Sequence, residues 1–322
     1  MTLVLTSDQA LENSRRGAAC RRHPGTTDPR HVEGMLFPHL TPAFRLEPGM
    51  KVFTVGSCFA RNIEEELPGF DLPTRGLALS AEDVEGRPNS SLNEFTPACM
   101  AQRLGWALEG RATAAIGQGY AGDDSAAIDL LLAKGRPRPR GRLAQIRGMI
   151  DAVYAALAGS DALIVTLGLQ ECWRDAETGL WLNRMPDPRD IRRTAGRYEL
   201  HLLDAEASVA MLAPVLAGLI ETGLRRVLIT VSPVPMTATF SGQDCVIANS
   251  RSKAEMRLTA DLLARRFAGV VDYFPSYEMV LSVGPGGLAP DLIHVRGEVV
   301  ARVMDHLRAN YLVQEPTSKE AR

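Results

Sequence analysis

Four short apolar runs punctuate the chain: Lys51-Val-Phe-Thr-Val55, Ala162-Leu-Ile-Val-Thr166, Arg226-Val-Leu-Ile-Thr-Val231 and Val270-Val-Asp-Tyr-Phe274. A continuous apolar run of this length, bounded by turn residues, reads as a strand buried on both faces. Between the runs lie stretches of helical character. Phe59 to Leu67 puts Ile63 and Leu67 on one face, with Glu64, Glu65 and Glu66 mostly outside. Thr96-Pro97 caps and opens a helix to about Leu108. Further helices are expected over about 143–157, 201–222, 250–267 and 297–312. Strands alternating with helices of this length predict parallel βαβ units, hence an α/β domain whose sheet is covered by helices on both faces.

The chain of 322 residues is long enough to bury a large core. No linker or internal repeat divides it. The pattern predicts an irregular N-terminal segment over 1–34, where Gly, Pro, His and Arg are scattered, one domain with insertions over 35–313, and a flexible polar tail over 314–322. A net charge of −2 argues against nucleic acid as a partner. The basic run Arg136-Pro-Arg-Pro-Arg140-Gly-Arg142 reads as a solvated connector ahead of an anion contact. Arginines follow the short apolar start and do not precede it, and no stretch approaches the roughly 20 apolar residues of a membrane span. Five widely spread cysteines without a C-x-x-C pair give neither a zinc spacing nor a disulfide framework. A cytoplasmic protein is therefore expected. None of the six histidines forms an H-E-x-x-H helix, and Gly284-Pro-Gly-Gly287 is not a dinucleotide-binding turn. No metal and no cofactor are expected.

In parallel α/β sheets, ligands bind beyond the carboxyl ends of the strands. The segments just beyond the strands here are polar and reactive: Gly56-Ser57-Cys58, then Gly168-Leu-Gln170-Glu171, then Ser232-Pro-Val-Pro235, then Pro290-Asp291-Leu-Ile-His294. A nucleophile on a strand-to-helix turn is exposed, and the helix N-terminus behind it offers free N–H groups and a positive field. That field favours a thiolate and stabilises an oxyanion. Gly56 lets the chain turn without a Cβ clash. Asp291 and His294, three apart, can pair so that the imidazole takes the nucleophile's proton and the carboxylate orients the ring. Each residue also has a plainer reading. Cys58 serves equally as a small buried apolar residue, Ser57 as a helix cap, His294 as a surface histidine, and Gln170 as a loop amide. Their joint placement at strand ends favours chemistry.

These blocks resemble the GSCFA family, whose name is the pentapeptide at 56–60. Leu92-Asn-Glu-Phe-Thr-Pro97, Thr166-Leu-Gly-Leu-Gln-Glu171 with Trp173, Ser232-Pro-Val-Pro235, Ser252-Lys253, Tyr273-Phe-Pro-Ser-Tyr-Glu278 and Asp291-Leu-Ile-His294 extend the resemblance over roughly 35–310. The family is similar to the SGNH/GDSL hydrolases, which implies a three-layer flavodoxin-like fold and acyl-transfer chemistry. Laying the Gly-Asp-Ser motif of those enzymes on Gly56 puts Cys58 at the nucleophile and Ser57 at the aspartate. The Gly-x-Asn-Asp block falls on Gly168 to Glu171, so Gln170 takes the place of the oxyanion-binding amide. Asp-x-x-His falls on Asp291 and His294. Gly76 and Asn93 are candidates for the remaining oxyanion donor. The resemblance implies an acyl hydrolase (esterase or thioesterase) or acyltransferase working through acyl-Cys58 or acyl-Ser57. Its donor would be a small acyl ester or thioester, such as an acyl-CoA or acyl carrier, and its acceptor water, a hydroxyl or an amine. The other reading is a non-catalytic module binding a glycan or an acyl carrier.

Overall fold

The computed structural model describes residues 4–313. In chain order it contains α1 (Ser7–Arg16), the two-residue strands β1 (His31–Val32) and β2 (Met35–Leu36), β3 (Val52–Gly56), α2 (Cys58–Glu65) and α3 (Pro97–Leu108). Next come β4 (Tyr120–Ala121), β5 (Ile128–Asp129), α4 (Arg140–Ala155), β6 (Ala162–Leu167), β7 (Glu171–Asp175), β8 (Trp181–Leu182), α5 (Pro188–Arg193) and β9 (Tyr198–Leu202). The last third holds α6 (Ala205–Glu221), β10 (Val227–Val231), α7 (Cys245–Arg266), β11 (Val271–Phe274), α8 (Ser276–Val283) and α9 (Gly297–Tyr311).

The four apolar runs form one parallel sheet in the order β11-β10-β6-β3. Alternation along each strand sends residues to opposite faces. Phe53, Val55, Leu163, Val165, Val227 and Ile229 pack on one side against α3, α4, α6 and α7, through Leu104, Ile146, Leu216 and Met256. Val52, Ile164, Leu228 and Phe274 pack on the other against α2, α8 and α9, through Ile63, Met279 and Val303. The result is a three-layer α/β fold, a parallel four-stranded sheet between two layers of helices. Among the described residues, backbone bridges meet the outer edge of β3 at its two ends, at Asp71 beside Lys51 and at Asn93 beside Gly56. Between them buried Thr54 bonds to Glu64 and Thr74, and Arg61 lies 2.6 Å from the Glu64 carboxylate.

Two stretches differ from the sequence expectation. The N-terminal segment holds α1, closed by a capping box between Thr6 and Gln9 and with no buried residue. A helix that is polar all round leaves no apolar stripe to read. The stretch from Glu171 to Leu202 forms a separate antiparallel sheet, β8-β7-β9, which the sequence pattern does not predict, and 201–202, expected to start a helix, end β9 instead. Its strands are short and half-buried, and β9 runs straight into the apolar sequence of α6. Residues 110–142 carry the β4–β5 hairpin, pinned where buried Arg147 grips the Asp129 carboxylate at 2.6 and 2.8 Å. In the basic run, Arg138 and Arg142 both meet Asp83, Arg136 meets Glu85 and Arg140 meets Asp124. The expected tail, 314–322, lies outside the described residues.

Candidate active site

Strand β3 ends on Gly56 at φ +141°, and a Cβ there would lie 2.4 Å from the Thr166 carbonyl oxygen of β6. Only glycine allows the two strands this approach. The next amide, Ser57 N–H, donates to that oxygen at 3.2 Å. Ser57 occupies the cap position of α2, yet its side chain makes no cap bond, and its buried Oγ has no partner among the described residues. Cys58 opens the helix and is half-buried. Burial pushes its thiol up from the ordinary value, against the pull of Lys134, Lys253, its own amide and Arg87.

The other side of the turn is built by the end of β6. A Cβ on Gly168 would stand 2.5 Å from the Phe95 carbonyl oxygen and 3.4 Å from Ser57 Cβ, so Gly168 packs directly against the turn. Leu169 N–H donates to Phe95 O at 2.8 Å, which ties the segment before α3 to the same edge. Gln170 is held by its backbone, its N–H on Ser252 Oγ at 3.0 Å and its carbonyl accepting from Leu203. Its side chain is 1 % exposed, and neither amide atom has a partner among the described residues. Asn93 is equally buried beside Gly56. Its carbonyl accepts from Asn183 Nδ2 at 2.5 Å, and its Oδ1 is unpartnered. Unpaired buried polar groups are rare in a folded core. Here those of Ser57, Asn93 and Gln170 belong to segments at the carboxyl ends of β3 and β6.

Glu171 lies beyond this group, its carboxylate occupied by the Thr239 hydroxyl and Phe240 N–H. It borders a cleft of about 160 Å³ lined also by Leu169, Trp173, Arg184, Met236 and Phe240. Gly76 is exposed at the end of a 3-10 turn, and nothing approaches its Cβ direction within 4 Å. No hydrogen bond among the described residues joins it to the Ser57–Cys58 turn.

Asp291 and His294 are joined in the loop between α8 and α9. Asp291 Oδ2 stands 2.6 Å from His294 Nδ1, and Oδ1 accepts the backbone N–H of both Ile293 and His294. These bonds, that of the imidazole first, hold the Asp291 carboxyl down to about 2. The imidazole is 68 % exposed, and no hydrogen bond links it to Ser57 or Cys58 among the described residues.

Sequence reasoning gave Lys253 no role, yet it is the most unusual group here. Its side chain is 1 % exposed and its Nζ donates to Gly168 O at 3.0 Å, with no carboxylate in ion-pair reach among the described residues. Burial lowers its pKa to about 7, and only the charge of Cys58 opposes that. The signal was present in the spacing. Lys253, Met256, Ala260 and Leu263 follow one helical face, and all are buried.

The GSCFA family profile matches residues 51–307. This chain belongs to the GSCFA family. No curated protein matches it. Among solved structures it is similar to a mutant acetyl-xylooligosaccharide esterase from Geobacillus Stearmophilus, at 12 % identity and a TM-score of 0.36, over 86 % of this chain and 100 % of that one. That likeness is too distant to inform the chemistry of a GSCFA protein. Among the described residues no helix is long and apolar enough to cross a membrane, and no group of three or more His, Cys, Asp or Glu residues could hold a metal.

Proposed function

We propose that this GSCFA protein is an acyl hydrolase or acyltransferase that forms an acyl-Cys58 intermediate in the cytoplasm. The observation that carries the reading is the half-buried thiol at the first position of α2, at the carboxyl ends of β3 and β6, where Ser57 Oγ, Asn93 Oδ1 and the Gln170 amide are all unspent among the described residues. Attack by Cys58 on an ester or thioester carbonyl places the developing oxyanion near the free amides of the helix and the Gln170 side chain, which stabilise it. Asp291 holds His294 in one orientation, leaving Nε2 to deliver a proton to the leaving group and to take one from water, a hydroxyl or an amine. The loop carrying the pair has to close on Cys58 with the substrate, since catalytic hydrogen bonds in a free enzyme are often long. The cleft beside Leu169 and Trp173 suits a small acyl group or the start of a pantetheine arm.

Intact mass after incubation with a panel of acyl thioesters and activated esters tests this. An acyl adduct is expected in the native protein and in Ser57→Ala, and none in Cys58→Ala. An adduct that survives Cys58→Ala but is lost in Ser57→Ala transfers the role to the hydroxyl. The second reading, a module that binds a glycan or an acyl carrier, draws on the absence of a bond between His294 and Cys58. It requires that no member of the panel acylates the protein.

A further inference from the structure

A lysine ammonium carries three N–H donors and is almost never fully buried without a counter-charge. Lys253 has one acceptor, Gly168 O, and no carboxylate partner among the described residues. The carboxylates nearest the turn are paired. Glu94 pairs with Arg103 at 3.1 Å, although burial raises its carboxyl to about 7, and Glu64 pairs with Arg61 at 2.6 Å. Lys134 is exposed, and Arg87 is tied to Glu65 at 3.3 Å. What remains beside Lys253 is the turn itself, because Gly168, which holds Nζ, packs against Ser57.

We propose that Lys253 is the proton acceptor for Cys58: the thiol proton passes from Sγ to Nζ, the S–H electron pair stays on sulfur, and the ammonium formed remains on Lys253. The inference rests on Cys58 being the nucleophile. It assigns the first proton transfer to Lys253 and leaves His294 the leaving group and acceptor. Burial favours the neutral form of both groups, so at rest near neutral pH the pair is thiol and amine. A neutral amine is what a base requires, and the ion pair forms only as sulfur attacks. The two groups share protons, so the first ionisation belongs to the pair.

Iodoacetamide labelling of Cys58, followed by peptide mass from pH 5.5 to 9.5, tests this without an acyl donor. The native protein should show a step in rate with its midpoint near 7, where Lys253 loses its proton. Lys253→Met should lack that step and label about tenfold or more slowly at pH 7.5, equivalent to a shift of one pKa unit or more. His294→Ala should keep the step. A native profile without a step below pH 8 overturns the proposal even if Lys253→Met fails to fold. A step that persists in Lys253→Met, or vanishes in His294→Ala, overturns it as well. Acylation is read separately. A lysine-dependent step with no acyl adduct would remove the acyl-transfer reading and leave the proton pair, and an adduct without the step would do the reverse.

Discussion

Gly56 offers the sharpest test of how the turn is built. Gly56→Ala asks an L residue to adopt φ +141° with its Cβ 2.4 Å from a backbone oxygen of the neighbouring strand. The backbone conformation costs about 1–3 kcal/mol. Forcing an atom into a filled site costs about another 1–3 kcal/mol. The sum of about 2–6 kcal/mol is a large share of a typical stability of about 5–15 kcal/mol. The unfolding entropy of a chain this long converts 1 kcal/mol into roughly 1.5 °C, so Tm should fall by about 3–9 °C. Moving Thr166 O away also weakens its bond from Ser57 N–H, so labelling of Cys58 should change in the folded fraction. Gly76→Ala is the internal control. Its Cβ would meet nothing and its φ is not positive, so Tm should move by about 1 °C or less. Thermal melting by circular dichroism reads both variants. A Gly56→Ala protein that melts within a degree of native, or a Gly76→Ala protein that falls as far, refutes the reasoning.

Gln170→Met should lower kcat by about 10²–10³ through loss of an oxyanion donor, while Tm holds or rises, because the amide has no partner among the described residues to lose. A parallel loss of Tm and kcat would instead make the amide structural. Arg147→Met strands the buried Asp129 carboxylate and should cost about 3–5 kcal/mol, with part of it regained in the double variant that adds Asp129→Asn. Urea melts of the three proteins measure this. Lys253 has its pKa lowered to about 7 in the fold from 10.5, so between those values the unfolded chain binds more protons and stability rises with pH. Above the ordinary thiol value of 9.0 the raised Cys58 ionisation acts in the opposite sense, which leaves a clean window from about pH 7 to 9. Lys253→Met should therefore exceed native stability at pH 7 and lose that advantage towards pH 9. Urea midpoints that stay parallel across the window would show that the buried lysine is not depressed.

The sequence alone determined the layering of this protein and pointed to the carboxyl ends of its strands as the place for a candidate site. Runs such as 162–166 and 226–231 are apolar at nearly every position, which only a sheet covered on both faces tolerates, and the strand-end rule then singles out 56–58, 168–171 and the loop at 291–294. Glycine at 56 could be read as a turn requirement, and the i, i+3 spacing of Asp291 and His294 as a local pair. These are short-range or periodic properties, written in consecutive residues. Contacts between segments far apart in the chain are not. That Gly168 packs on Ser57, that Asn93 closes the edge of β3, and that Gly76 stands apart from the turn are decided by how βαβ units stack. The sheet formed by β7, β8 and β9 was hidden for a related reason: its half-buried strands gain their apolar environment only when packed together. Lys253 is the clearest case. Its place on an apolar stripe is visible in the spacing of α7, but a stripe position says only that the side chain turns inward. Which group it meets there depends on the end of a strand 85 residues earlier in the chain, and folding alone brings the two together.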